Sequence, residues 1–323
     1  MMKKVFLCWK SACTRSRNQA YHFGAKNIYI LLFPGRRGLA ALFVRYLGSF
    51  VITLQRLIQE RPDVIFTLNQ PPFLILAVYL YASVFRCKYI LDSHSAAFND
   101  KKWAWARPLY RFIARRAFLN INTNEHHRQL VESWGGKSIV MSDIPIDYDR
   151  HFPPQRVDRD SIAVVASFMF DEPIEAIWAA ARKTPEIHYY VTGDEQKLTA
   201  QLRNACPTNI HLTGYLSTED YLGLLTSVRG VMVLTTRNHT MQMGAYEALS
   251  LQQPIITSNW PILRESFGPS AVYVDNNPAS IAAGARELMG AIDAFKAASI
   301  AQRVARRAYY DSAKQQILTQ LKT

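Results

Sequence analysis

The segment of this chain best suited to chemistry runs from Arg237 to Trp260, RNHTMQMGAYEALSLQQPIITSNW. An apolar run, Gly230–Leu234, ends in Thr235-Thr236. A polar loop follows, and then Gly244, Ala245 and Tyr246 open a helix, where all three are candidate contacts to a bound ligand. The first turn of a helix leaves backbone N–H groups unpaired at the positive end of its dipole, which suits a diphosphate. Gly244 has no side chain to hold a ligand away from the backbone. Glu247 lies one turn in, where a carboxylate either accepts two hydrogen bonds from a ribose diol or simply complements the dipole.

Two further groups stand at the ends of apolar runs in the first half. Leu91-Asp92-Ser93-His94-Ser95 closes one run, and Asn69-Gln70-Pro71-Pro72 follows another. A neutral imidazole at His94 suits removal of a proton from a hydroxyl or contact with a sugar. Asp92 either orients His94 or acts itself. The competing reading is a satisfied loop histidine beside a strand-end aspartate. Arg15 and Arg17, in a polar stretch read as the loop Ser11–Asn18, carry guanidinium forks that match phosphate oxygens.

Other patterns are set aside. Asp147-Tyr148-Asp149 and Asp158-Arg159-Asp160 have DxD spacing but lie in a Pro- and charge-rich stretch, 145–160, that reads as a linker. His126-His127 reads as a helix surface pair. Cys8, Cys13, Cys87 and Cys206 form no CxxC pair and have no zinc spacing, which fits a reducing compartment and no metal. No GxGxxG follows the first apolar run, and GxxxxGK[ST] and GxSxG are absent.

The elements that must position these residues are short apolar runs alternating with amphipathic stretches. The runs are Val5–Trp9, Val64–Leu68, Lys88–Leu91 and Leu119–Thr123, then Ile162–Ala166, Ile187–Val191, Asn209–Leu212 and Gly230–Leu234. Between them lie helical patterns at Gly38–Glu60, Pro71–Phe85, Trp103–Phe118 and Ser217–Thr226. Such alternation predicts parallel sheets joined by right-handed crossovers, and it occurs twice.

Charge divides the halves. Residues 1–155 hold 22 Lys and Arg against 9 Asp and Glu, whereas 156–323 hold 16 of each, so the whole net charge of +13 belongs to the first half. A basic surface attracts anionic lipid, phosphorylated ligands or nucleic acid. The last is disfavoured, since no RRM, KH or helix-turn-helix signature appears. No apolar stretch reaches the ~20 residues needed to span a bilayer. Trp103 and Trp105 among Lys101, Lys102, Arg107, Arg111, Arg115 and Arg116 suit contact with headgroups. The start, MMKKVFLCWK, reads as a first strand rather than a secretory signal.

Gly-x-x-Glu-Ala-Leu followed by Gln-Pro-Ile-Ile-Thr-Ser resembles the donor-binding segment of GT-B glycosyltransferases, especially the GT4-like group. That group carries two glutamates eight residues apart. The second, on the ribose, matches Glu247, and the first falls at His239, where this chain departs from the pattern. Val191-Thr192-Gly193-Asp194 resembles the segment near the base, and Ile210–Tyr215, with Gly214, resembles the next strand and its glycine loop. The group's basic pair after the first strand of this domain is replaced by Ser167–Glu172, which has no cation. The resemblance then implies Arg237 as the phosphate contact, followed by Arg15 and Arg17 from a loop that faces the cleft in GT-B folds. The Asn/Gln-Pro-Pro and Asp-x-His segments resemble transferases acting on lipid-linked pyrophosphate sugars.

The resemblance implies an α/β GT-B fold of two Rossmann-like domains with parallel sheets facing across a cleft. Residues 1–155 would form the basic acceptor domain and 156–300 the nucleotide-sugar donor domain. Residues 301–323 would form a helix returning toward the first. The expected function is metal-independent transfer from a nucleotide-diphosphate sugar to a glycan or lipid-linked acceptor, with no cofactor besides the donor. The expected place is the cytoplasmic face of an anionic membrane. The alternatives are a nucleotide-sugar epimerase, against which the charge asymmetry argues, and a non-catalytic membrane-surface binding protein on a decayed transferase fold.

Overall fold

The computed structural model describes residues 2–10, 13–32, 38–93, 98, 101–141, 145–148 and 151–322. The chain divides into two compact units, Met1–Asp143 with Tyr310–Thr323, and Ile144–Tyr309.

The first unit contains β1 (Lys4–Cys8), α1 (Thr14–Phe23), β2 (Lys26–Tyr29), α2 (Leu39–Glu60), β3 (Val64–Leu68), α3 (Pro72–Phe85), β4 (Lys88–Ser93), α4 (Arg107–Ala114), β5 (Leu119–Asn122), α5 (Glu125–Ser133) and β6 (Ser138–Val140). Its six strands run in the order β2-β1-β3-β4-β5-β6, every pair parallel. All five residues of β3 are buried, as expected of a strand covered by helices on both faces.

The second unit contains β7 (Ser161–Val164), α6 (Ile174–Lys183), β8 (His188–Thr192), α7 (Ala200–Asn204), β9 (Ile210–Gly214), α8 (Thr218–Ser227), β10 (Gly230–Val233), α9 (Met243–Ser250), β11 (Ile255–Ser258), α10 (Pro261–Phe267), β12 (Ala271–Val274) and α11 (Pro278–Gly290). The last helix, α12 (Ile292–Lys322), follows. The sheet runs β12-β11-β10-β7-β8-β9, again all parallel. Ile162 and Val164 face one apolar core and Ala163 the opposite one, so the sheet is sandwiched between two. The strand order reverses between β1 and β3 in the first unit and between β7 and β10 in the second. Open parallel sheets bind ligands beyond the strand ends at such points.

Local departures from the sequence reading have physical causes. The stretch read as the loop Ser11–Asn18 is helical from Thr14 onward, because β1 and β2 are parallel and need a crossover element. The single helix read over Trp103–Phe118 is a 3₁₀ turn, Lys101–Ala106, followed by α4. Pro108 lacks a backbone N–H and is accommodated only in the first turn of a helix, so α4 starts beside it. His127, read as a surface residue, is fully buried. It stacks on Phe98 at 4.5 Å, and its Nδ1 lies 3.0 Å from the Asn124 amide. Among the described residues, no helix is long and apolar enough to cross a membrane.

Candidate functional site

The switch point of the second sheet brings together the loop after β7, the loop after β10 and the start of α9. α9 approaches β7 closely: a Cβ on Gly244 would lie 2.8 Å from Val165 Cγ1. Only glycine fits there without moving a valine. The two loops are stitched together by Asp171, whose carboxylate accepts from Thr235 Oγ1 at 3.1 Å. The Asp171 carbonyl accepts from Thr236 N at 2.7 Å. The Thr235 carbonyl is held from behind by Trp260 Nε1 and Asn276 Nδ2, each at 2.9 Å. The β8 loop passes so close that a Cβ on Gly193 (φ +114°) would stand 2.5 Å from the Ala166 carbonyl oxygen. Gly214 (φ +70°) turns the chain after β9, and its carbonyl accepts from Gly193 N at 3.2 Å.

Glu247 is half-buried on α9, and one of its oxygens accepts from Tyr221 Oη on α8 at 2.7 Å. Among the described residues no other donor reaches the carboxylate, so its second oxygen keeps hydrogen-bonding capacity. Burial pushes the Glu247 pKa up, and the Tyr221 hydroxyl opposes that shift. Tyr221 is itself raised well above its ordinary value, first by burial and then by the neighbouring Glu247 charge.

Its neighbours on α9 face inward. Ala245 is buried in the core, and Tyr246, 1% exposed, packs against Phe267 with its hydroxyl accepting from Arg306. This corrects the assignment of the Tyr246 side chain to a ligand. Helical rotation separates it from Glu247 by about 100°, which takes it to the packed face.

The loop after β7 has no cation and is filled by its own anion. The Glu172 carboxylate accepts from Ser167 N at 3.0 Å, Ser167 Oγ at 2.8 Å and Met169 N at 3.2 Å. Cations approach from the flanks. The Arg237 guanidinium lies 5.2 Å from the centre of the Phe170 ring, and Lys197 Nζ lies 3.4 Å from the Ser167 carbonyl oxygen. His239 adopts φ +56°, a conformation uncommon outside glycine and often found at functional turns.

In the first unit, Arg15 and Asp92 form a buried pair, 3% and 0% exposed. Arg15 Nε lies 3.1 and 3.0 Å from the two carboxylate oxygens, Nη2 lies 2.7 Å from one of them, and Nη2 also donates to the Met141 carbonyl. Arg15 therefore faces a carboxylate inside the unit, although the sequence reading gave it to a phosphate. The reason is again the helical start of α1, which turns residue 15 inward and leaves Arg17 exposed. His94 lies outside the described residues. Near the β1/β3 switch point is a cavity of about 370 Å³ lined by Trp9, Lys10, Arg45, Tyr46, Gln70 and Lys102, among others. A larger one, about 580 Å³, is lined mainly by α4 and α5.

Residues 169–291 match the sequence profile of the family described as glycosyl transferases group 1. The chain has the GT-B fold, and the profile of these transferases covers most of its second sheet. No curated protein sequence matches it, but solved structures do. Sucrose-phosphate synthase from Thermosynechococcus elongatus superposes with a TM-score of 0.75 at 12% identity, covering 99% of this chain and 98% of that one. HepE from Anabaena, in complex with UDP and glucose, gives 0.73 at 12% identity over 100% of both chains. A glycosyltransferase from Rickettsia africae gives 0.71 at 11%, covering 99% and 98%. At these identities the likeness is one of fold.

The matched region contains Glu247, Arg237, His239, Gly193 and Gly214. The sequence reading missed Tyr221, Glu172, Lys197 and Asp171. Tyr221 stands 26 residues from Glu247, and only the packing of α8 against α9 joins them. Glu172 carried a readable signal, because an acid five residues after Ser167 can fold back on the loop amides.

Proposed function

We propose that this chain is a glycosyltransferase that takes its sugar from a UDP-sugar and passes it to a lipid-linked or polysaccharide-precursor acceptor at an anionic membrane surface. The observation that carries the donor reading is Glu247, held through one oxygen by Tyr221 at the start of α9 and keeping capacity on the other for a ribose diol. The N–H groups that open α9 take the diphosphate, with Arg237 supplying positive charge and Lys197 next in order. UDP is the favoured nucleotide because HepE holds UDP and UDP-glucose and the S. aureus MnaA structure holds UDP. The chain's own groups bind and orient the donor and stabilise the departing diphosphate, and no metal is invoked.

The acceptor side rests on the first unit. Lys10, Arg45 and Lys102 beside Trp9 and Tyr46 give the smaller cavity the chemistry for an anionic, sugar-bearing ligand. His94 receives or orients the acceptor hydroxyl, and the Arg15–Asp92 pair fixes the strand end that leads to it. Membrane contact is supported by an exposed apolar stripe on α2, Phe43, Leu47, Val51 and Ile58, by Trp105, 62% exposed, and by the basic excess of this half.

The test is UDP release from a panel of UDP-sugars, with and without a lipid pyrophosphate-sugar in anionic vesicles. Acceptor-dependent release is expected, abolished by His94→Ala while UDP affinity stays within about twofold, since an acceptor-side group does not touch the nucleotide. Interconversion of UDP-sugars without an acceptor, or no turnover with any donor, would overturn the reading.

A further inference from the structure

The discounted DxD-spaced pair at Asp158 has an unexpected setting. Period-2 alternation along β8 puts His188 and Tyr190 on one face, and the pairing of Tyr190 with His211 on β9 brings a second imidazole onto that face. Asp158, which precedes β7, meets them. His188 Nδ1 and His211 Nε2 are 3.0 Å apart, and Asp158 Oδ2 lies 3.4 Å from the first and 3.9 Å from the second. Among the described residues, this is the group of His, Cys, Asp or Glu ligands whose atoms all converge within 4.8 Å.

We infer that Asp158, His188 and His211 form a binding site for a divalent transition metal of the zinc class. Ligands held about 2.0–2.1 Å from zinc at the tetrahedral angle stand about 3.3–3.4 Å from one another, a value that the separations here, 3.0, 3.4 and 3.9 Å, bracket. Two imidazole nitrogens and one carboxylate oxygen are a zinc-type donor set, poorly suited to magnesium or calcium. Two neutral imidazoles meeting nitrogen to nitrogen share one proton, and a metal takes that proton's place.

The ligands are also held in position. Tyr190 Oη donates to Asp158 Oδ2 at 2.8 Å and accepts from Asp158 N at 3.1 Å, fixing the carboxylate. His211 stacks on Tyr190 at 4.7 Å and on His188 at 5.3 Å, fixing both rings. Outer partners of this kind orient metal ligands. Among the described residues, no lysine or arginine neutralises Asp158 in their place.

The cluster lies toward the N-terminal ends of β8 and β9, whereas the Glu247 site lies beyond the C-terminal end of β10. The metal therefore ties the edge strand β9 and β8 to the chain entering β7. It takes no part in transfer, and its removal costs stability rather than turnover.

The test uses the full chain without a polyhistidine tag, stripped with EDTA and titrated with zinc by calorimetry and with cobalt by absorption. One equivalent is expected per chain, with a rise in Tm because only the folded state binds. His211→Ala and Asp158→Asn should each weaken binding by more than about tenfold, since losing even an outer partner typically costs 10–100-fold. Circular dichroism verifies that each variant folds, and Asp158→Asn keeps the local shape. His126→Ala, a control in the other unit, should bind like the wild type, and magnesium should not compete. Absence of a stoichiometric site, or a site unchanged in both variants, would overturn the inference.

Discussion

The two units place a carboxylate near the switch point of the same kind of sheet and use it differently. In the first, Asp92 is fully buried and answered by the Arg15 fork. In the second, Glu247 is half-buried and held by a single phenol. The first arrangement is balanced inside the unit. The second retains an unfilled acceptor and a raised pKa, as expected where a ligand is to supply the missing donors. A polar group at a strand end thus becomes a site through what its own unit leaves unsatisfied, and residue type alone does not decide it.

The largest effect that would break this contrast is on the buried pair. Arg15→Ala strands the Asp92 charge and should cost about 3–5 kcal/mol of stability, read as a shift in denaturant midpoint at constant slope. Removing both partners together should recover part of that loss. UDP affinity, measured below the melting temperature, should change little. A variant of normal stability with weakened UDP binding would make Arg15 a phosphate ligand and erase the distinction between the units.

A smaller effect sharpens the other side. The Glu247 pKa is raised by burial, so the folded state favours the protonated carboxyl. The stability this gives is complete below the unfolded-state pKa and is lost as pH rises through the folded one. Glu247→Gln should therefore stabilise the protein at neutral pH, with the gain vanishing as pH falls below the ordinary carboxyl range, at the cost of donor binding. Thermal melts across pH check this, and an unchanged or lowered Tm at neutral pH would mean that the ionised carboxylate is well satisfied.

Much of this was legible in the sequence because its causes are local. Ser217 caps α8, accepting from Asp220 N at 3.1 Å, as the Ser-x-x-Asp spacing suggests. Gly193 and Gly244 sit where a Cβ would collide with a neighbouring strand's backbone or side chain. What escaped depends on distant packing. The turn of α1 that points Arg15 at Asp92 joins residues 77 apart, and the Tyr221 partner of Glu247 lies on a different helix. Tyr246 was misassigned although its helical phase, shared with Ala245, Ala248 and Leu249 on the buried face, was readable. His188 and His211 gave no sequence signal, because metal-ligand spacing along a chain does not reveal ligands brought together by strand register.

The most direct test of the central claim is calorimetric titration of UDP into the wild type and Glu247→Ala. Loss of charged hydrogen bonds to the ribose should weaken binding by about 10–100-fold, equivalent to roughly 1.5–3 kcal/mol, with the fold intact. Equal affinity in the two proteins would contradict the account, because Glu247 would then be a helix residue that touches no nucleotide.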